Sequence, residues 1–138
     1  MKKIVSTVSV LALLLVCLLA TGCQAEPIPP GYIWGNAIYT ENTTLGEGAT
    51  TLTVVVAAEE KEVTFTIHTD KETVAEALLE HDLLEGADGM YTVVNGMTAD
   101  YNVDQTYWAF YENDAYANQG MDTTTINPEV TYKLVQSK

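Results

Sequence analysis

From Thr51 to Ile67, apolar and polar residues alternate in two runs, Thr51-Leu-Thr-Val-Val-Val-Ala-Ala58 and Glu62-Val-Thr-Phe-Thr-Ile-His68, separated by the charged Glu59-Glu60-Lys61. Strand side chains alternate between faces, so the pattern predicts two antiparallel strands and a tight hairpin, with Val63, Phe65 and Ile67 on the buried side. The period then lengthens. Val74, Ala77, Leu78 and His81 recur at helical spacing behind Thr69-Asp-Lys-Glu72, which has the Ser/Thr-x-x-Glu form of a capping box. An amphipathic helix of about three turns follows from this spacing. Its end is expected near His81, with Asp82 in the left-handed C′ position and Leu83 folded back on Leu78 in a Schellman motif.

Beyond Gly86 to Gly89, Met90-Tyr-Thr-Val-Val94 reads as a strand ending at Asn95-Gly96, the strongest two-residue hairpin signal in the chain. The polar stretch from Thr98 to Gln105 reads as a loop. Thr106–Tyr111 and Ala115–Ala117 flank Glu112-Asn-Asp114 as a second hairpin, and Val130–Val135 supplies a last strand. Strand, strand, helix, then further strands is an α+β order. A single amphipathic helix buries its face on one side of a mixed or antiparallel sheet, which makes a β-grasp-like layer the economical arrangement. Tyr32–Tyr39 reads either as an edge strand or as a loosely packed arm.

With 138 residues the chain has room for one core, not two. The N-terminus changes the picture of where that core resides. Met1-Lys-Lys3, the apolar Ile4–Ala20 and the small residues before Cys23 have the three parts of a lipoprotein signal. Residues 1–22 are then a removed leader, Cys23 is the lipidation site, and residues 23–31, with Pro27, Pro29 and Pro30, form an extended spacer before a domain at 32–138. A transmembrane anchor is the competing reading, but the apolar run is short for a span and no cationic stop follows it. The expected location is the extracytoplasmic face of a bacterial membrane, held by lipid. Six Lys, no Arg and nineteen acidic residues give a net charge of −13, and loss of Lys2 and Lys3 leaves −15. Such a surface repels nucleic acid and anionic lipid headgroups. Cys17 lies in the leader and Cys23 at its end, so the domain has neither an internal disulfide nor a cysteine zinc site.

Candidate chemistry is sparse. His68 and His81 are the only imidazoles, Ser137 is the only serine after Cys23, and neither a Gly-x-Ser-x-Gly elbow nor a Gly-rich phosphate loop occurs. The expectation is a non-enzymatic protein that requires no cofactor. Asp100-Tyr-Asn102-Val-Asp104 places oxygen ligands at alternate positions, as calcium loops begin. Gln105 stands where an EF-hand needs Gly and Tyr111 where it needs Glu, so the segment reads as a solvated loop with Asx turns and no metal site is expected. Eight Tyr and two Trp against two Phe make a wet-edged aromatic set. Along one strand Trp108 and Phe110 should face inward toward the helix. Tyr107, Tyr111 and Tyr116 then line the outer face, as cross-strand pairs or as a stacking platform.

Four segments in this order, Thr73-Val-Ala-Glu-Ala-Leu-Leu79, Val94-Asn-Gly-Met-Thr-Ala-Asp-Tyr101, Tyr107-Trp-Ala-Phe-Tyr111 and Gly120-Met-Asp-Thr-Thr-Thr-Ile126, resemble the bacterial transcobalamin C-terminal-like domain. The similarity runs from about Ala37, through Leu45-Gly-Glu-Gly48, to Val135. Asn113-Asp114 departs from the family's Asn-Gly, Asn127-Pro-Glu129 from its Gly-Asp, and the segment before Tyr91 is shortened. Members are often secreted or lipid-anchored proteins of Gram-positive bacteria, and their vertebrate relatives form the smaller, β-rich half of cobalamin carriers. The resemblance implies a small-molecule ligand, cobalamin or another flat ring. Its contacts would come from Asn95 and Gly96 at the turn and from Tyr107, Trp108 and Tyr111 on the strand. In those carriers a large helical domain closes over the ligand, and this chain has none, so a second envelope protein would complete the site. The alternative is a protein-interaction or adhesion module that uses a sheet edge.

Overall fold

A computed structural model describes residues 32–138; the leader at 1–22, Cys23 and the proline-rich spacer lie outside the described residues. The chain runs through a 3₁₀ turn (Ile33–Asn36), β1 (Thr43–Gly46), β2 (Thr50–Ala58), β3 (Lys61–Thr69), α1 (Val74–Glu80), β4 (Leu84–Ala87), β5 (Met90–Val94), β6 (Met97–Thr98), α2 (Tyr101–Asp104), β7 (Tyr107–Glu112), β8 (Ala115–Tyr116) and β9 (Thr131–Ser137). Six strands form one mixed sheet in the order β1-β3-β2-β9-β7-β8, and β4-β5-β6 form a separate antiparallel sheet. The β2–β3 hairpin lies beside the antiparallel β9–β7 pair, with β2 and β9 parallel in the centre. That is the β-grasp order, so the α+β layer expected from the alternation is the one observed.

The alternation sets the core. Val54 sits between Phe65 of β3 and Tyr132 of β9, and Val56 between Val63 and Leu134, so one face of the sheet is a continuous apolar floor. Phe110 extends that floor by stacking on Tyr132, with ring centroids 5.8 Å apart. Val74, Ala75, Ala77 and Leu78 of α1 are buried in the same core. The helix ends as its residues foretold: Asp82 has φ 57°, its N–H donates to the Leu79 carbonyl (3.2 Å), and the Leu83 N–H donates to the Leu78 carbonyl (3.0 Å).

Its start differs from the expectation. The N-cap is Thr73, whose hydroxyl accepts from the Glu76 N–H, and the Glu76 carboxylate accepts from the Thr73 N–H in return. Thr69 cannot serve, because it is the buried last residue of β3, paired with Thr50, and its hydroxyl donates to Glu80. The helix is consequently seven residues, about two turns. The N–H groups of Val74 and Ala75 donate to the carbonyls of Thr124 and Met121, so the loop before β9 caps the helix as well.

Two further segments depart from their reading. The stretch 98–105 is not a plain loop, since Thr98 pairs with Val93 and Tyr101–Asp104 form α2. Asp100 caps that turn by accepting from the Asn102 N–H, and Asp104 accepts from the Thr106 N–H. Tyr32–Tyr39 is neither an edge strand nor a loosely packed arm: it is an arm pinned at Trp34 and Tyr39. Trp34 is 2% exposed, donates from Nε1 to the Ala58 carbonyl (2.8 Å) and carries the Lys61 ammonium 4.8 Å from its ring centroid. The edge of the sheet is instead β1, parallel to β3.

Candidate ligand site

Alternation along β7 points Trp108 and Phe110 to the inner face and Tyr107 and Tyr111 to the outer one, as expected. What lines the space around Trp108 is not α1 but Tyr91 of β5 and the Gly120–Met121 segment. Trp108 is 9% exposed, and its Nε1–H is fully buried with no acceptor among the described residues. An indole N–H in that condition forgoes roughly 1–3 kcal/mol of hydrogen bonding.

Two grooves of about 290 Å³ each meet at this residue. Phe110, Tyr116, Asn118 and Met121 line the first; Thr92, Asp100, Asn102 and Tyr107 line the second. Gly89, Tyr91 and Trp108 belong to both. The Tyr91 hydroxyl donates to Asp122 Oδ1 at 2.5 Å. Burial first, then this bond and the Asp122 charge, push the phenol up to about 12. Gly89 has φ +77°, a conformation that favours glycine, and a Cβ there would lie 2.9 Å from the Asp122 carboxylate. Neither groove is lined by a cation. A wider depression of about 500 Å³ at the tip of the β2–β3 hairpin is lined by Glu59, Glu60, Lys61 and Glu62 and carries no aromatic ring.

The residues singled out from sequence separate. Trp108 and Tyr107 line the grooves. Tyr111 lies outside both linings and packs edge to face on Tyr116, at 5.4 Å and 78°, which is the cross-strand pair of the two readings. Asn95 and Gly96 line neither groove. Asn95 is fully buried, its Oδ1 accepts from the Tyr39 N–H (2.9 Å), and its Nδ2 donates to the Tyr39 carbonyl (2.8 Å). A Cβ at Gly96 would run into the Asn36 carbonyl. The turn is a clasp that holds the arm, and its polar atoms are already spent on it. Sequence reasoning missed Gly89, Tyr91, Asn118 and Asp122; the Asp88-Gly89 pair before a strand was the available signal. His68 accompanies Thr51 (3.3 Å between Nδ1 and Oγ1), and neither histidine lines a groove. Among the described residues no three His, Cys, Asp or Glu side chains converge as metal ligands would.

No protein-family model matches the sequence, and no curated protein matches it. Solved structures do. A crystal structure from Ruminococcus gnavus ATCC 29149, provisionally described as a metal binding protein, aligns with a TM-score of 0.60 at 24% identity, over 64% of this chain and 97% of its own. Haptocorrin in complex with Cbi aligns with a TM-score of 0.46 at 18% identity, over 64% of this chain and 25% of its own. The first establishes a shared fold; the second likeness is too loose to bear weight.

Proposed function

We propose that this domain is a non-enzymatic ligand-binding module, tethered through Cys23 lipid to the outer face of the membrane, that lays a flat ligand across Trp108. Its most specific form is a corrinoid such as cobalamin. The observation that carries the reading is the buried Trp108 Nε1–H without an acceptor, set where two aromatic-lined grooves meet. Pockets with a few convergent polar groups amid apolar walls are where small molecules bind. The resemblance of Tyr107–Tyr111 and Gly120–Ile126 to the transcobalamin-like domain supports the ligand class, because both segments border these grooves. Each groove, at about 290 Å³, lies at the lower end of small-molecule sites. A second envelope protein that covers the exposed ligand face would complete the site.

Calorimetric titration of the full chain with cyanocobalamin tests this. Saturable heat that Trp108→Phe abolishes supports it. Absence of heat up to about millimolar ligand defeats it for the chain alone, and recovery of an envelope protein without corrinoid would favour an adhesion role.

A further inference from the structure

Tyr91, Gly89 and Trp108 wall both grooves, and of their side chains only that of Tyr91 is bonded to another segment among the described residues, through Asp122. We propose that the Tyr91–Asp122 hydrogen bond is a removable bar across a single trench floored by Trp108. Its release joins the two grooves and offers the indole Nε1–H to an acceptor on a neutral or cationic ligand. This concerns the control of the site described above and rests on that ligand reading.

Three observations converge on the bar. The joined grooves would have about twice the volume of either, inside the range that small-molecule sites occupy. The exchange is balanced in bonds: opening breaks the phenol-to-carboxylate contact, and binding gives the orphaned indole its first acceptor. The movable side is also weakly built. Tyr91 belongs to a three-stranded sheet of short strands, β4 and β5 shift register between Glu85 and Gly86, and Met90 beside the turn is 78% exposed. Such hairpins open locally without global unfolding. Charge then selects the ligand. Asp100 lines the second groove, Asp122 stands at the bar, and no lysine lines either, so a phosphate or carboxylate would enter unpaired.

The test uses the chain's two tryptophans. Trp34 Nε1–H is bonded to the Ala58 carbonyl and serves as internal reference. In the full chain with ¹⁵N-labelled indoles, Tyr91→Phe should speed hydrogen exchange at Trp108 Nε1–H by about tenfold or more, as loss of one strong hydrogen bond implies, while Trp34 exchange stays unchanged. Unaltered exchange at Trp108 overturns the proposal. If both indoles speed up together, Asp122→Ala, which breaks the same bond from an exposed residue, is read instead. Selective acceleration there supports the bar, and joint acceleration there overturns it, because the bond is then a strut of the whole fold. Silent calorimetry with accelerated exchange defeats the ligand reading alone; heat with unaltered exchange defeats the bar alone.

Discussion

Replacing Glu60 by glycine isolates the strain in the β2–β3 turn. Ala58 pairs with Lys61, so the loop is the two residues Glu59 and Glu60, with φ of 47° and 66°. Positive φ at both positions is the type I′ geometry, whose twist matches a hairpin and whose natural occupants are Asn and Gly. A residue with a Cβ is roughly 1–2 kcal/mol worse in the left-handed region, and glycine returns about 0.4–1 kcal/mol through the freedom it gives the unfolded chain. Glu60→Gly should therefore stabilise the domain by about 0.5–1 kcal/mol, a rise in Tm of roughly 2–6 °C for a domain of this size. Glu59 is left alone because its carboxylate accepts from the Ile33 N–H. The control is Glu60→Ala, which removes the same charge beside Glu59 and Glu62 yet keeps the Cβ. Denaturant unfolding of all three chains separates backbone from charge. Equal stabilisation by Ala and Gly would refute the conformational argument and assign the effect to charge repulsion.

Three other outcomes follow from geometry already given. Asn95→Ala strips both hydrogen bonds from the Tyr39 backbone and leaves alanine at φ 51°, so it should cost about 3 kcal/mol in urea unfolding, with Asn95→Gly recovering only the backbone share. Backbone bonds from Thr73 and Glu72 hold the Glu76 carboxyl below the usual range. A depressed folded value adds stability above the unfolded one, and that stability is lost as pH falls through the folded value. The gap between wild type and Glu76→Gln in denaturant midpoint should therefore close on acidification; a constant gap would contradict it. The raised Tyr91 phenol works in the opposite sense: its stabilisation is full below its ordinary value of 10 and fades as pH climbs toward 12, so wild type should lose more stability than Tyr91→Phe over that interval.

Much of the fold was legible because alternation and capping are local. Val63, Phe65 and Ile67 could face only one side of a strand, and Asp82-Leu83 could end the helix in few ways. The misreadings came from motifs whose resolution is tertiary. Thr69-x-x-Glu72 and Thr73-x-x-Glu76 both satisfy the capping-box spacing, and only the pairing of Thr69 with Thr50 decides between them. β1 and β6 are too short for a period to show. Asn95-Gly96 was recognised as a turn, but its burial depends on Ile38 and Tyr39, more than fifty positions away. At the site, Trp108 was visible as an inward aromatic. The partners that give it meaning, Tyr91 and Asp122, are joined by a hydrogen bond spanning 31 positions, which no local pattern reports.

β9 comes from the last residues of the sequence yet occupies the middle of the large sheet, between β2 and β7. Until it is available, each of those neighbours presents a bare hydrogen-bonding flank, and Tyr132 and Leu134 are missing from the floor. The domain thus has no partial native form on which an unfinished chain could rest. Folding must wait for β9, must close the long-range pairing of β9 with β2, and should be slow for the domain's size. A premature stop that removes β9 should yield not a smaller binding module but sticky, protease-sensitive material.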